Sequence, residues 1–309
     1  MLRRSEPDST PWRAGPFRLR PNQVTFGQTY EDCAIELGAF KPQSRVFSIA
    51  GAGCTPRALA AAGHRVTAVD IDARQLCYAE SRAKGNPWHM GAVEHLLALG
   101  RRMARLAGWN RNRLTEFLNL SQGARQVDYW NTYLETLALR LAMDNLLSPR
   151  LLGLCYAGPL VDSLPGDFGL RIRERLRRGW AIHSNRSNPY AASLLLGTPP
   201  VESGPPAYPI RFALADAAVF LEDCPPSSYD GFALSNIGDG VSPEYARRLC
   251  RAVEHAAAPD AVVVFRTFAE PGSSVRANLA SSDRSMLWGA VEARPVAMLG
   301  NGGKPCFIG

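Results

Sequence analysis

Apolar and polar positions along the chain switch between two periods. Residues 45–50, Arg-Val-Phe-Ser-Ile-Ala, form a short apolar run of β-favouring side chains. The glycine turn Gly51-Ala52-Gly53-Cys54-Thr55 follows, and then a helix-forming stretch over 56–62 that stops at Gly63. Residues 65–69 predict a second strand ending in Asp70, and 71–84 a second helix closed by Gly85. Strand, helix and strand in that order make a βαβ unit. Its crossover makes the two strands parallel, and repeated units of this kind build a doubly wound sheet. From 88 to 197 the apolar positions recur at helical spacing, as in Leu134, Leu137 and Leu141, and predict no strand. After a Pro/Gly-rich link over 198–209 the strand pattern returns at 210–214, 231–235 and 261–265. A helix over 243–258 separates the last two, and a weaker β-like pair lies in 285–308. The expected fold is therefore α/β and Rossmann-like, with 24–87 as its first part, 88–197 as a helical insertion and 198–309 as its second part. Residues 1–23 are rich in Arg, Pro and Ser without a periodic apolar pattern, and read as a flexible lead-in.

Composition narrows the class. The 309 residues are 46% hydrophobic and 20% charged, which excludes a disordered chain or a disulfide-stapled mini-fold as the main state. The net charge is +7, carried by arginine: only Lys41, Lys84 and Lys304 are lysines. Residues 101–180 hold thirteen arginines against seven acids. Because Glu116, Asp128, Glu135 and Asp144 are mixed among those arginines and no dense basic run occurs, the charge signals tolerance of anions and no nucleic-acid partner is expected. The seven cysteines are odd in number and contain no C-x-x-C pair. That argues against structural zinc and a disulfide framework, so no metal is expected and a reducing cytoplasm is. No run reaches the roughly 18 apolar residues of a membrane span, so stable membrane insertion is not expected.

The glycine turn brings in chemistry. Glycines between a strand and a helix let backbone N–H groups approach a ligand, and an acid at the end of the next strand accepts from ribose hydroxyls. Gly51, Gly53 and Asp70 supply that set. A dinucleotide fingerprint would need a third glycine where Pro56 stands, and no G-x-x-x-x-G-K-[ST] motif occurs. NAD and ATP weaken as ligands, and S-adenosylmethionine, which has no phosphates, gains. Asp216, just past the strand at 210–214, is placed to receive an adenine amino group or, alternatively, to cap the helix at 217–220. Ser235 and Asn236 leave the following strand at the same edge, where open α/β sheets bind ligands; turn chemistry is their other reading.

Phe26-Gly27-Gln28-Thr29-Tyr30-Glu31-Asp32, residues 46–55, Val66 through Ile71 with Gln75, Asn188-Pro189-Tyr190 followed by 194–197, and 229–236 form a larger pattern. It resembles the S-adenosylmethionine-dependent 3-amino-3-carboxypropyl transferases related to the enzyme that makes the homoserine ether of betaine lipids. The blocks run in the family's order over residues 24–270, with a helical segment inserted at the same place; Thr29-Tyr30 stands where members often have Cys-Trp. The resemblance implies a class I S-adenosylmethionine-dependent transferase fold. It implies S-adenosylmethionine as substrate, bound by Gln28, Ala50, Gly51, Gly53, Asp70, Ile71, Gln75, Asp216, Ala217, Ser235 and Asn236. It further implies transfer of the aminocarboxypropyl group to a hydroxyl or amine of a small-molecule or lipid acceptor, with release of methylthioadenosine. Tyr30, Glu31 and Asp32 are then the candidates to hold the amino acid moiety and to take the acceptor's proton. Their alternative reading is a capped start of a helix over 33–37. His183 is a further candidate base, or a structural histidine.

Other readings use the same residues. The carbon presented in line with the nucleophile decides between aminocarboxypropyl and methyl transfer, so an ordinary methyltransferase stays open. So does ring closure, in which the cofactor's own amino acid portion attacks its γ-carbon. A non-catalytic reading makes the arginine-bearing helices a nucleic-acid or anionic-membrane binder. Asn188-Pro189-Tyr190 reads as a loop lining the acceptor pocket.

Overall fold

The computed structural model describes residues 23–156, 158–199, 203–270 and 278–299. The lead-in over 1–22 and the end of the 285–308 pattern lie outside the described residues. Six strands, β1 (Arg45–Ile49), β2 (Arg65–Asp70), β3 (Arg211–Leu214), β4 (Tyr229–Ala233), β5 (Ala257–Thr267) and β6 (Ala290–Pro295), form one sheet in the order β3-β2-β1-β4-β5-β6. All neighbours pair parallel except β6, which runs antiparallel to β5. The protein is thus α/β with a mixed, mostly parallel sheet, an architecture compatible with a Rossmann-like fold. Strand order reverses between β1 and β4, and the crevice above such a switch point is where open α/β sheets take ligands.

The two-residue period of the strands sorts side chains to opposite faces. Phe47, Val69, Phe232 and Val263 pack with Leu221 and Leu249, from α12 (Ala217–Glu222) and α13 (Pro243–Ala256). Val46, Val66, Ala233 and Val264 pack on the other face with Phe40 and with Leu59 and Ala60 of α2 (Cys54–Ala61). Covering both faces is what keeps a parallel sheet apolar on both sides. The remaining helices on the sheet are α1 (Ala34–Ala39) and α3 (Ala73–Ala83), the latter started by Asp72, whose side chain accepts from Arg74 N–H.

Among the described residues no strand lies between β2 and β3. That stretch forms α4 (Ala92–Leu106), α5 (Arg111–Asn119), α6 (Gly123–Tyr129), α7 (Leu137–Leu146), α8 (Pro149–Cys155), α9 (Gly158–Ser163), α10 (Phe168–Ile182) and α11 (Pro189–Leu196). These helices own a core of Phe117, Trp130, Leu134, Trp180 and neighbours, in which Gln126 donates to the carbonyls of Trp180 and His183. Arg175 of α10 donates to Leu287 O and Phe268 O and pairs with Glu270 at 2.7 Å, fastening the helices to the chain just past β5.

Two details depart from the pattern reading. β4 begins at Tyr229 and ends at Ala233, two residues earlier than expected, because Ser235 adopts φ 55° and turns the chain out of the sheet. α13 stops at Ala256 and β5 starts at Ala257, since Pro259 pushes its predecessor away from helical geometry. Cys33, Cys54, Cys77 and Cys224 are free, and Cys250 is disulfide-bonded. Among the described residues no helix is long and apolar enough to cross a membrane.

Candidate functional site

The candidate residues gather at the C-terminal ends of β1, β2 and β4. β1 runs into Gly51 (φ 50°) and Gly53 (φ 81°), left-handed conformations that glycine adopts without penalty. A Cβ on Gly53 would stand 3.2 Å from both Cα and O of Ala79, so α3 packs against this turn because no side chain intervenes. Ala50 is buried, its N–H donating to Val69 O. Asp70 ends β2, and its two carboxylate oxygens accept from Gly51 N–H (3.1 Å) and Asp72 N–H (3.0 Å). Burial outweighs these bonds and pushes its carboxyl up to about 6. Each oxygen retains a second acceptor site for a ribose hydroxyl. Ile71 follows, half-buried. Ala215 N–H donates to Asp70 O at 3.0 Å, which sets Asp216 and Ala217 beside the same edge. The Asp216 side chain caps α12 through Val219 N–H (3.1 Å) and accepts from Tyr245 Oη (2.8 Å). The cap anticipated as its alternative role is therefore formed.

A loop over 24–32 lies across the glycine turn. Gln75 of α3 is its staple: the amide oxygen accepts from Thr25 N–H (2.9 Å) and Phe26 N–H (3.2 Å), and the amide nitrogen donates to Phe26 O (2.9 Å) and Gly51 O (2.8 Å). Glu94 of α4 accepts from Gly27 N–H (2.7 Å), Gln28 N–H (3.3 Å) and Gly91 N–H (2.8 Å). Gln28 is buried, and Tyr30 is buried with its carbonyl accepting from Trp288 Nε1 (3.0 Å). Burial and then the Glu94 charge push the Tyr30 phenol well up, so it stays protonated and can only donate or accept a hydrogen bond.

Glu31 is the most distinctive group. It is 5% exposed, and one carboxylate oxygen accepts from the Ser235 hydroxyl while the other lies 3.7 Å from Arg266. Burial is the largest influence on it; Arg266 and Ser235 act against that push and Glu36 and Asp283 with it, and its carboxyl rises to about 7. Ser235 also faces Asn236 Oδ1 at 3.4 Å, and Asn236 donates to buried Asp239 (3.2 Å). Asp32 instead forms a two-pronged pair with Arg284, and its Oδ1 accepts from Ala34 N–H. Against the upward push of burial, these bonds hold its carboxyl below the ordinary value.

Glu31, Ser235 and Asn236 are thus brought together, as are Gly51, Asp70, Gln75 and the 24–32 loop. His183 shares none of their hydrogen bonds: its Nε2 stands 3.0 Å from Ser281 O, so that nitrogen carries the proton and serves as a structural donor. Residues beyond the predicted set also shape the site. Arg266 has a side chain with no exposed area; it bonds both oxygens of Glu36, Asp283 (3.0 Å) and Asp32 O (3.1 Å). The signal that points to it is a lone arginine ending the apolar run Val262-Val263-Val264-Phe265. Glu94, three residues past Gly91, follows the helix-start pattern. Tyr190 donates to Glu31 O, and Asn188 caps α11 and donates to Arg284 O (2.9 Å). Arg101 of α4 donates to Leu194 O at 3.3 Å and forms no ion pair among the described residues; burial lowers its guanidinium below the ordinary value, and the Glu94 carboxylate acts against that.

Chemically, the set combines a glycine turn and an acid suited to a nucleoside with a buried carboxyl near neutrality. Such a carboxyl exchanges protons readily at physiological pH. Among the described residues no cluster of His, Cys, Asp and Glu is arranged to hold a metal ion. Comparison with protein-family models, curated proteins and solved structures gives no match.

Proposed function

We propose that this protein is a class I S-adenosylmethionine-dependent enzyme. It transfers the 3-amino-3-carboxypropyl group to a hydroxyl or amine of a small-molecule or lipid acceptor and releases methylthioadenosine. One observation carries the reading: Glu31, a buried carboxyl raised to about 7 and bonded to Ser235, sits at the strand edge that also holds Gly51 and Asp70. In this reading Asp70 accepts from the ribose hydroxyls, Asp216 and Ala217 border the adenine, and the glycine turn lets backbone approach the ligand. Arg101, half-buried and without an acidic partner within ion-pair distance among the described residues, is the arginine that meets the ligand carboxylate, with Tyr30 beside it. The acceptor's lone pair attacks the γ-carbon, the C–S bond breaks with its electrons passing to sulfur, and Glu31 takes the acceptor's proton.

Paired binding and turnover measurements test these roles. Asp70→Ala should abolish S-adenosylmethionine binding in a calorimetric titration, and near-normal affinity would remove Asp70 from the nucleoside site. Glu31→Gln should keep the affinity within about threefold while turnover falls roughly 10²–10⁴-fold. An unchanged rate would remove Glu31 from the chemistry.

A further inference from the structure

The opposite edge of the sheet carries a second concentration of charge. Three neighbouring strands open with arginine: Arg211 begins β3, Arg65 begins β2 and Arg45 begins β1. Parallel pairing aligns Arg45 with Arg65, and Arg211 with Thr67 two residues further along β2. Strands that run the same way start at the same edge, so the three guanidinium groups emerge in spatial order across it. With Thr67 and Tyr208 they line a cavity of about 420 Å³. Ala207 N–H donates to Ala60 O at 2.9 Å, which anchors the segment that supplies Tyr208.

The charge there is only partly matched. Arg45 spends its guanidinium on Asp230, with Nε at 3.0 Å and Nη2 at 2.8 Å from the two carboxylate oxygens. Arg65 and Arg211 have no acid within ion-pair distance among the described residues, and no residue lining the cavity is acidic. Each lies over an aromatic ring instead, Arg65 at 5.5 Å from the Tyr208 centroid and Arg211 at 5.6 Å from that of Phe220. Stacking of this kind holds the guanidinium group in place while leaving its in-plane N–H donors available.

We propose that this cavity binds the phosphate of a small phosphomonoester. A dianion matches two uncompensated guanidinium groups, and the arginine fork fits phosphate oxygens two at a time. The volume falls at the low end of small-molecule sites, about 300–1,000 Å³, and leaves room for a sugar-sized group beside Tyr208. The site lies at the sheet edge away from Asp70 and Glu31, so it stands whether or not the transferase reading does.

Calorimetric titration of the full chain with ribose 5-phosphate, with inorganic phosphate and with chloride, at constant ionic strength, tests the site. Ribose 5-phosphate should saturate one site and bind more tightly than inorganic phosphate, with chloride giving no saturable heat. Arg65→Gln and Arg211→Gln should each weaken binding about tenfold or more, and Asp230→Asn, which releases Arg45, should tighten it. Arg65 and Arg211 are exposed and Asp230 is half-buried, and an unchanged circular dichroism spectrum with an unaltered Tm would show that the variants are folded. Lack of saturable ribose 5-phosphate binding below about 10 mM, or equal affinity in the Arg65→Gln/Arg211→Gln double variant, would overturn the proposal.

Discussion

Arg266→Met removes a cation shared by Glu31, Glu36 and Asp283. The wild-type guanidinium bonds both oxygens of Glu36, lies 3.0 Å from Asp283 and 3.7 Å from Glu31, and has no exposed side-chain area. Methionine nearly conserves the apolar volume but leaves three carboxyl groups buried together. Breaking a buried pair by removing one member costs about 3–5 kcal/mol. Glu31 can escape part of that cost by taking up a proton. With an ordinary glutamate value of 4.5, that proton costs about 4 kcal/mol at pH 7.5, but under about 1 kcal/mol at pH 5. The variant should therefore lose about 4 kcal/mol at pH 7.5, near 6 °C in Tm for a chain of this size, and regain roughly 3 kcal/mol of that at pH 5. Urea denaturation followed by tryptophan fluorescence at the two pH values measures both numbers. A deficit under about 1 kcal/mol at pH 7.5, or one that does not change with pH, would refute the assignment of Arg266 as the shared counter-ion.

The Glu31 carboxyl, raised to about 7, works as a base only when deprotonated, so kcat/KM should climb as pH rises through about 7 and then level off. A profile that is flat between pH 5.5 and 8.5 would exclude it as the base. The same upward shift has a stability counterpart: the folded state holds the proton more tightly than the unfolded chain, so this stabilisation is complete below 4.5 and disappears as pH rises past about 7. Glu31→Gln should accordingly be more stable than wild type at pH 8 and not at pH 4, as read by Tm. Gly53→Ala should cost about 1–3 kcal/mol, because it combines a φ of 81° with a 3.2 Å approach to Ala79; a change below about 0.5 kcal/mol in urea would mean that the turn relaxes freely. Gln75→Ala removes four hydrogen bonds, so amide hydrogen exchange at Thr25 and Phe26 should rise by about tenfold or more, and unchanged protection there would show that Glu94 alone holds the loop.

How far the fold could be read from the sequence depended on how local each signal was. β1, the glycine turn, α2 and β2 are contiguous, and each is set by its own residues: β-branched and aromatic runs, Gly51, Gly53 and Gly63. The mostly parallel α/β sheet follows from them. The ends of α13 and β4 were harder because they depend on Pro259 and on the left-handed turn at Ser235, single residues that override the apolar period. At the candidate site, Gly51 and Asp70 are 19 positions apart and visible as a motif. The partners that set the electrostatics are not: Glu31 meets Ser235 across 204 positions and Glu36 meets Arg266 across 230. Periodicity carries no information about such pairs, which exist only once the sheet has brought the end of β5 beneath the 24–32 loop. His183 shows the converse. Its residue type suggested chemistry, and only the Ser281 carbonyl beside it reveals a structural use.

The bond to sulfur that breaks separates the proposed reaction from methylation, and the fate of the released carbon chain separates it from ring closure. Incubating the protein with S-adenosylmethionine labelled at both the methyl and the carboxyl carbon, with and without hydroxyl and amine acceptors, follows the two labels separately. The account predicts that the methyl label stays on sulfur in methylthioadenosine while the carboxyl label moves to the acceptor, and that Glu31→Gln suppresses both changes together. A carboxyl label released in a small ring without any acceptor would replace intermolecular transfer by ring closure. Methyl label on the acceptor, with S-adenosylhomocysteine as the nucleoside product, would contradict the account outright.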